Sequence, residues 1–304
     1  MAVLIGEGNE GNEGNEGNEG ATSSAGGRLT TVFPLKSWTT SDSKLTSNTV
    51  NFDIQRVSYY PAERWDQGYI VQLIVSEFGQ YKDSNEADPE KCWKMGDWRE
   101  KIILGHWHNK MTGKPDPSDA EIESAQLSEI KKLLEYIGDT QERSKHLSEI
   151  IAQSSGSKGY FANLLMIGSN SRPATWAMIQ VSYSIAQLVV MHFKDKYQRP
   201  RPVQLYPALF PPIVTPAHAS YPSGHTLQAH LAAKCLTEVN SAFGPAVDDL
   251  AGRIGKNREY AGLHYESDTS ASIDLVNPIW DVLVKGRRFS ELLTKARAEW
   301  SPKE

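Results

Sequence analysis

Between Ala174 and Phe193 the chain runs ATWAMIQVSYSIAQLVVMHF, a stretch that is apolar on nearly every side. A helix at a protein surface keeps one polar face for water, and this segment has none, so it must be covered all round. Its twenty residues could also span a bilayer. Gln180, Gln187 and several hydroxyls interrupt the run, however, and such groups are costly in hydrocarbon. The segment therefore predicts a central buried helix around which other helices pack, with no integral membrane span.

The surrounding sequence agrees with a mainly α fold, a helical bundle. Ser118 and Glu121 form a capping-box pattern, Ile122, Ile130, Leu133, Leu134 and Ile137 continue as a helical stripe, and Gly138 ends it. Asp139 and Glu142 repeat the capping pattern for a second helix through about Ala152. The central helix closes at Lys194, because Pro200 and Pro202 each push the residue before them out of α geometry. Two further helices are predicted near 223–241 and 278–295.

Residues 118–304 thus read as one helical domain, and the chain before them is different. Tandem GNE triplets fill residues 8–19, and residues 1–27 have too little apolar surface to offset their ordering entropy, which predicts a disordered tail. Residues 28–117 are harder to assign. TVNFDIQ alternates like a strand, RWDQGYIVQLIVSEFG suits strand or helix, and His106 and His108 would share one face of a strand. No third ligand lies near that pair, so it reads as packed or surface histidines.

Charge excludes some partners. The net charge of −5 comes from the tail, where Glu7, Glu10, Glu13, Glu16 and Glu19 stand without a basic residue. Taking those five from 37 acidic residues leaves 32, against 32 basic ones. So balanced a body offers no footprint for nucleic acid and no polybasic membrane patch. The two cysteines, Cys92 and Cys235, make no disulfide framework and match no metal spacing. MAVLIGEGNEG lacks the basic and apolar regions of a signal peptide, which predicts a cytoplasmic protein.

Three segments carry chemistry. In KDKYQRPRP, Lys194 and Arg201 stand on a stiff exit from the central helix. In HASYPSGHTLQAH, Pro222 stiffens the approach to a helix, Ser223 takes the capping position and Gly224 leaves its amide unshielded. A helix N-terminus of that kind accepts anions, and His225 stands where it can move a proton. In NREYAGLHYESD, Arg258 offers a planar donor fork, while His264 and Asp268 lie four apart, so the carboxylate can hold one imidazole nitrogen. Each piece has a bland reading: a dipole-neutralising basic pair, a plain N-cap, a structural His–Asp pair.

Together, Lys194-x6-Arg201-Pro202, Pro222-Ser223-Gly224-His225 and Arg258-x5-His264-x3-Asp268 resemble the tripartite signature of one superfamily. It unites the type 2 phosphatidic acid phosphatases, bacterial non-specific acid phosphatases and vanadium-dependent haloperoxidases. The resemblance covers about 190–275, extends to the helices from 118, and says nothing of the chain before 110. It implies a helical bundle of the acid phosphatase/vanadium haloperoxidase type. It also implies that Lys194, Arg201, Ser223, the Gly224 amide and Arg258 hold the oxygens of phosphate or vanadate. His264 would then attack phosphorus or ligate vanadium, Asp268 would orient it, and His225 would be the acid–base group. Asn257 stands where the phosphatase pattern usually has Ser.

The shared motif leaves the branch open. His218, seven before His225, and Gln228, three after it, resemble the bromide-oxidising haloperoxidases, so His218 is expected in the outer shell of the site. The family's haloperoxidases are usually longer than this chain, whereas its secreted phosphatases carry signal peptides and its lipid phosphatases several spans. The expectation is a soluble haloperoxidase-like enzyme using vanadate, hydrogen peroxide and a halide. The alternatives are a soluble phosphatase that cleaves a phosphate ester through His264 without a cofactor, and a non-catalytic phosphate-binding protein.

Overall fold

The protein is described by a computed structural model over residues 67–79 and 98–301. The predicted disordered tail at 1–27, the strand reading of TVNFDIQ and the thiol of Cys92 lie outside the described residues. The described residues form helices and turns with no strand among them, so the mainly helical class stands.

In chain order the helices are α1 (Gln67–Gly79), α2 (Trp98–Lys101), α3 (Trp107–Thr112), α4 (Asp119–Ile137), α5 (Glu142–Lys145) and α6 (Leu147–Leu165). They continue as α7 (Pro173–Tyr197), α8 (Pro202–Leu205), α9 (Gly224–Val239), α10 (Gly244–Tyr260), α11 (Glu266–Leu283) and α12 (Arg287–Ala298).

The predicted central helix is α7, buried along its length. Met178, Val181, Ile185 and Val189 join a core with Val71, Ile74 and Phe78 of α1, Leu227 and Leu231 of α9, and residues of α11 and α12. On its other side Ile179 and Tyr183 meet Phe161 of α6 and Ala229, Ala233, Val247 and Ile254 of α9 and α10. Its polar groups are satisfied inside the fold. Ser182 donates to the Ile179 carbonyl at 2.7 Å and Tyr183 to the Ser157 hydroxyl at 3.0 Å. Of the described helices, only the segment Pro173–Leu205 is long and apolar enough to cross a membrane, and 67% of its most apolar window is buried within the protein.

Several local readings need correction. His106 and His108 do not share a strand face. His106 is the N-cap of α3, its Nδ1 accepting from the His108 N–H at 3.2 Å, which satisfies a helix amide that has no backbone partner. YIVQLIVSEF is helical because Val71, Ile74 and Phe78 fall on one face against α7. The helix expected from Asp139 instead begins after Gln141, which takes a left-handed φ of 53°. It breaks at His146 and resumes as α6, running past Ala152 to Leu165 because Ile150 and Phe161 are fully buried. The single helix near 278–295 is two. Pro278 lies inside α11, where burial of Leu275, Ile279 and Val282 offsets a penalty of about 3 kcal/mol, and Gly286 starts α12. Finally, α7 passes Lys194 and stops at Tyr197, with Gln198 in the left-handed region before Pro200.

Candidate active site

The site forms where the exit of α7, the start of α9 and the turn between α10 and α11 converge. A small cleft there is lined by Gln187, Val190, Met191, Lys194, His218, Gly224, His225, Gln228 and His264. Segments far apart in sequence thus bring Lys194, Gly224 and both expected catalytic imidazoles to one place.

Ser223 is the N-cap residue and Gly224 opens α9, so the first amides of this helix point out of its N-terminal end. The Ser223 hydroxyl accepts from Thr226 at 2.7 Å, and the side chain does not line the cleft. His225, in the first turn, does line it and is nearly buried. The start of α9 is tied to the next segment: Ser223 N–H donates to the Asp268 carbonyl at 3.3 Å, and the Ser272 hydroxyl donates to the Ser223 carbonyl at 2.8 Å.

The Lys194 ammonium donates to the carbonyls of Ala219 at 2.6 Å and Ser220 at 3.1 Å, which fixes it at the wall of the cleft. Arg201 is equally buried. Its Nε donates to the His218 carbonyl at 2.9 Å, Nη1 to the Leu263 carbonyl at 3.2 Å, and Nη2 to His218 Nδ1 at 3.1 Å. The same His218 Nδ1 lies 3.2 Å from the Ala219 carbonyl. Arg258 is fully buried, and its Nη2 donates to the Ile150 carbonyl at 3.3 Å. Neither Arg201 nor Arg258 is part of the cleft lining, although Arg201 touches two residues that are.

His264 precedes α11, and Asp268 sits in the first turn of that helix. Nδ1 of His264 lies 3.1 Å from Asp268 Oδ2 and 3.3 Å from the Ser220 hydroxyl oxygen. Ser220 donates its one hydrogen to Asp268 Oδ2 at 2.5 Å, so Nδ1 must be the donor of the histidine. Nε2 then carries the lone pair and accepts from Arg201 Nη1 at 3.5 Å. Burial, helped by the charges of Arg201 and Lys194, outweighs the Asp268 hydrogen bond and pulls the imidazole down to about 3. Burial raises Asp268, but the Arg199 charge and the His264 and Ser220 bonds overcome it and leave the group well below the ordinary carboxylate range. The pair is therefore a neutral imidazole backed by a carboxylate. An imidazole in that state can attack an electrophile or ligate one.

Sequence reasoning missed several contributors. Ser220, three before Ser223, shares Asp268 Oδ2 with His264 Nδ1. Arg199 lies between two site residues in QRPRP, and its local signal was hidden by the motif around it. Gln187 pairs with Gln228, whose amide donates to it at 3.2 Å in the cleft wall. Asn257, the departure from the phosphatase pattern, is buried and donates to Gln153 at 2.9 Å and Glu149 at 3.1 Å, which ties α10 to α6. Among the described residues, no group of three or more His, Cys, Asp or Glu side chains could hold a metal cation. Cys235 is buried, its thiol pushed up to about 12 by loss of solvation. No family model matches the chain.

Proposed function

We propose that this protein is an oxyanion-site enzyme that works like a vanadium-dependent haloperoxidase, oxidising halide with hydrogen peroxide at vanadate held by His264. The observation that carries the reading is the buried, neutral His264 imidazole, held by Asp268 and facing a cleft walled by a cation and a helix N-terminus. Such a donor set fits an anion with one imidazole ligand. Lys194 supplies charge, the Gly224 end of α9 supplies oriented amides, and Arg201 brings buried positive charge against His264 and His218. Vanadate bound there would supply the Lewis-acid centre at which hydrogen peroxide is activated.

The chain's own residues do the rest. Asp268 keeps the proton of His264 on Nδ1, so that Nε2 can bind. His225, beside the anion end of α9, holds and returns a proton at its ring. His218, held against Arg201 through its carbonyl and its Nδ1, places a second imidazole at the cleft. That placement favours the peroxidase branch, because halide oxidation depends on where protons sit around the bound oxyanion.

A second reading uses the same geometry. A neutral His264 with its lone pair on Nε2 is also a nucleophile toward phosphorus, with His225 protonating the leaving oxygen, and it needs no cofactor. A paired assay separates the two. One portion of protein receives vanadate, hydrogen peroxide, a halide and an acceptor dye, and the other a chromogenic phosphomonoester without vanadate. Halide oxidation that requires vanadate and is lost in His264→Ala supports the peroxidase. Efficient ester hydrolysis with no halide oxidation assigns the site to the phosphatase branch.

A further inference from the structure

Arg199 is a fully buried charged group to which the proposed chemistry gives no part beyond its charge beside Asp268. It bridges two carboxylates on different helices. Nη1 donates to Asp268 Oδ1 at 2.6 Å and to the Ser267 hydroxyl at 2.7 Å, while Nη2 donates to Glu129 Oε2 at 2.6 Å. Glu129, on α4, also accepts the Ser267 backbone N–H at 2.8 Å, so it caps α11 while it holds Arg199. Tyr265 and Trp107 sandwich the guanidinium, their ring centroids 3.8 and 4.8 Å from its carbon.

The two oxygens of Asp268 have separate tasks. Oδ1 belongs to Arg199, and Oδ2 receives Ser220, His264 Nδ1 and the Tyr265 N–H. Ser220 makes this division consequential. Its hydroxyl oxygen lies 3.3 Å from His264 Nδ1 and donates to Oδ2 only while Oδ2 is in place. If the carboxylate turned away, the hydroxyl could donate to Nδ1 instead. The imidazole proton would then move to Nε2, and the cleft would face an N–H rather than a lone pair.

We propose that Arg199, anchored by Glu129, is a positioning residue: it locks the Asp268 carboxylate in the orientation that keeps the His264 proton on Nδ1 and its Nε2 lone pair toward the cleft. The inference rests on the reading of His264 as the reacting imidazole. Arg199 touches no substrate; it acts through Asp268. Its planar fork is what the role needs, since a lysine ammonium keeps the charge but cannot hold two carboxylates in fixed planes.

The test uses the full chain and three variants, Arg199→Lys, Glu129→Gln and His264→Gln, the last serving to assign the His264 signals. Arg199→Lys and Glu129→Gln keep polar groups at both positions, which guards against the unfolding that an uncompensated buried charge brings. Nitrogen-15 NMR at fixed neutral pH reads the His264 tautomer, calorimetry reads affinity for inorganic vanadate, and the paired assay gives kcat and KM. In the wild type the Nδ1–H form should dominate. In Arg199→Lys the Nε2–H form should appear, kcat should fall about 10–100-fold and KM should change less than twofold, with a smaller shift in the same direction for Glu129→Gln. A folded Arg199→Lys with the wild-type tautomer overturns the proposal, whether or not its activity or melting temperature falls, because Arg199 would then only tie α4 to α11. The tautomer is read without turnover, so the result stands apart from the paired assay. A wild type that neither binds vanadate nor turns over either substrate overturns the proposed function instead.

Discussion

His264 and His225 line one cleft, but in different surroundings. His264 is fixed on one edge by Asp268, whereas His225 stands in the first turn of α9, where the helix amides converge. The variant His225→Ala should therefore keep oxyanion binding within about tenfold while turnover falls roughly 10²–10⁴-fold, the usual contribution of a positioned acid–base group. Vanadate calorimetry beside steady-state kinetics checks this, and equal loss of binding and turnover would make His225 an anion ligand instead. His218 should separate the chemistries. In His218→Ala any ester hydrolysis should persist, and halide oxidation should fall or change its preferred halide, because Arg201 Nη2 loses its acceptor and the cleft loses one imidazole. A halide series measured with both substrates reads the difference.

At the scale of the helices, the approach of α9 and α10 sets the position of the first turn of α9. A Cβ at Gly255 would stand 3.1 Å from Thr226 Oγ1 and 3.2 Å from its Cγ2. Thr226 is fully buried and donates to the Ser223 hydroxyl, so it has little room to yield. Gly255→Val should overpack this contact, costing about 1–3 kcal/mol, and should move the first turn of α9 with Gly224 and His225. Chemical denaturation together with vanadate affinity tests it, and unchanged values for both would show that the helices can separate freely. Which helices meet here follows only in part from sequence. The stripe on α4 and the apolar girth of α7 are local patterns, legible because residues at i, i+3 and i+4 share a face. The break at His146 and the continuation of α11 through Pro278 are not legible, because burial against distant helices decided them.

For the whole molecule, the histidines whose proton affinity burial lowers make stability depend on pH in one direction. Burial lowers His264 to about 3, and burial likewise lowers His230, His106 and His108. A histidine held neutral in the fold takes its proton only on unfolding. Its contribution is therefore whole above about pH 6.5 and declines as the pH falls toward the folded-state value. Asp268, held below its ordinary range, adds a loss at still lower pH. Unfolding free energy measured by urea should fall between pH 7 and pH 4, by about 1.4 kcal/mol per unit for each fully buried site in its window. His264→Gln should flatten that slope, and a slope unchanged by the substitution would mean His264 is charged in the folded protein. Saturating vanadate should shift the curve the other way: at 100 times its Kd a ligand of the native state adds about 2.7 kcal/mol.

What the sequence determined by itself was local. The all-round apolar run required a covered helix, and Pro222-Ser223-Gly224 required a helix start with open amides. The spacing of His264 and Asp268 allowed one to hold the other. Those properties depend on neighbours within a turn, so they were readable from Lys194, Gly224, His225 and His264 before any packing was known. Tertiary structure alone decided which groups complete the site. Glu129 and Asp268 share Arg199 across more than a hundred residues of chain, and Ser220 shares Asp268 Oδ2 with His264 Nδ1. No local pattern encodes these choices, because a buried donor or acceptor is satisfied by whatever partner packing brings within 3 Å, and packing is a property of the whole set of helices.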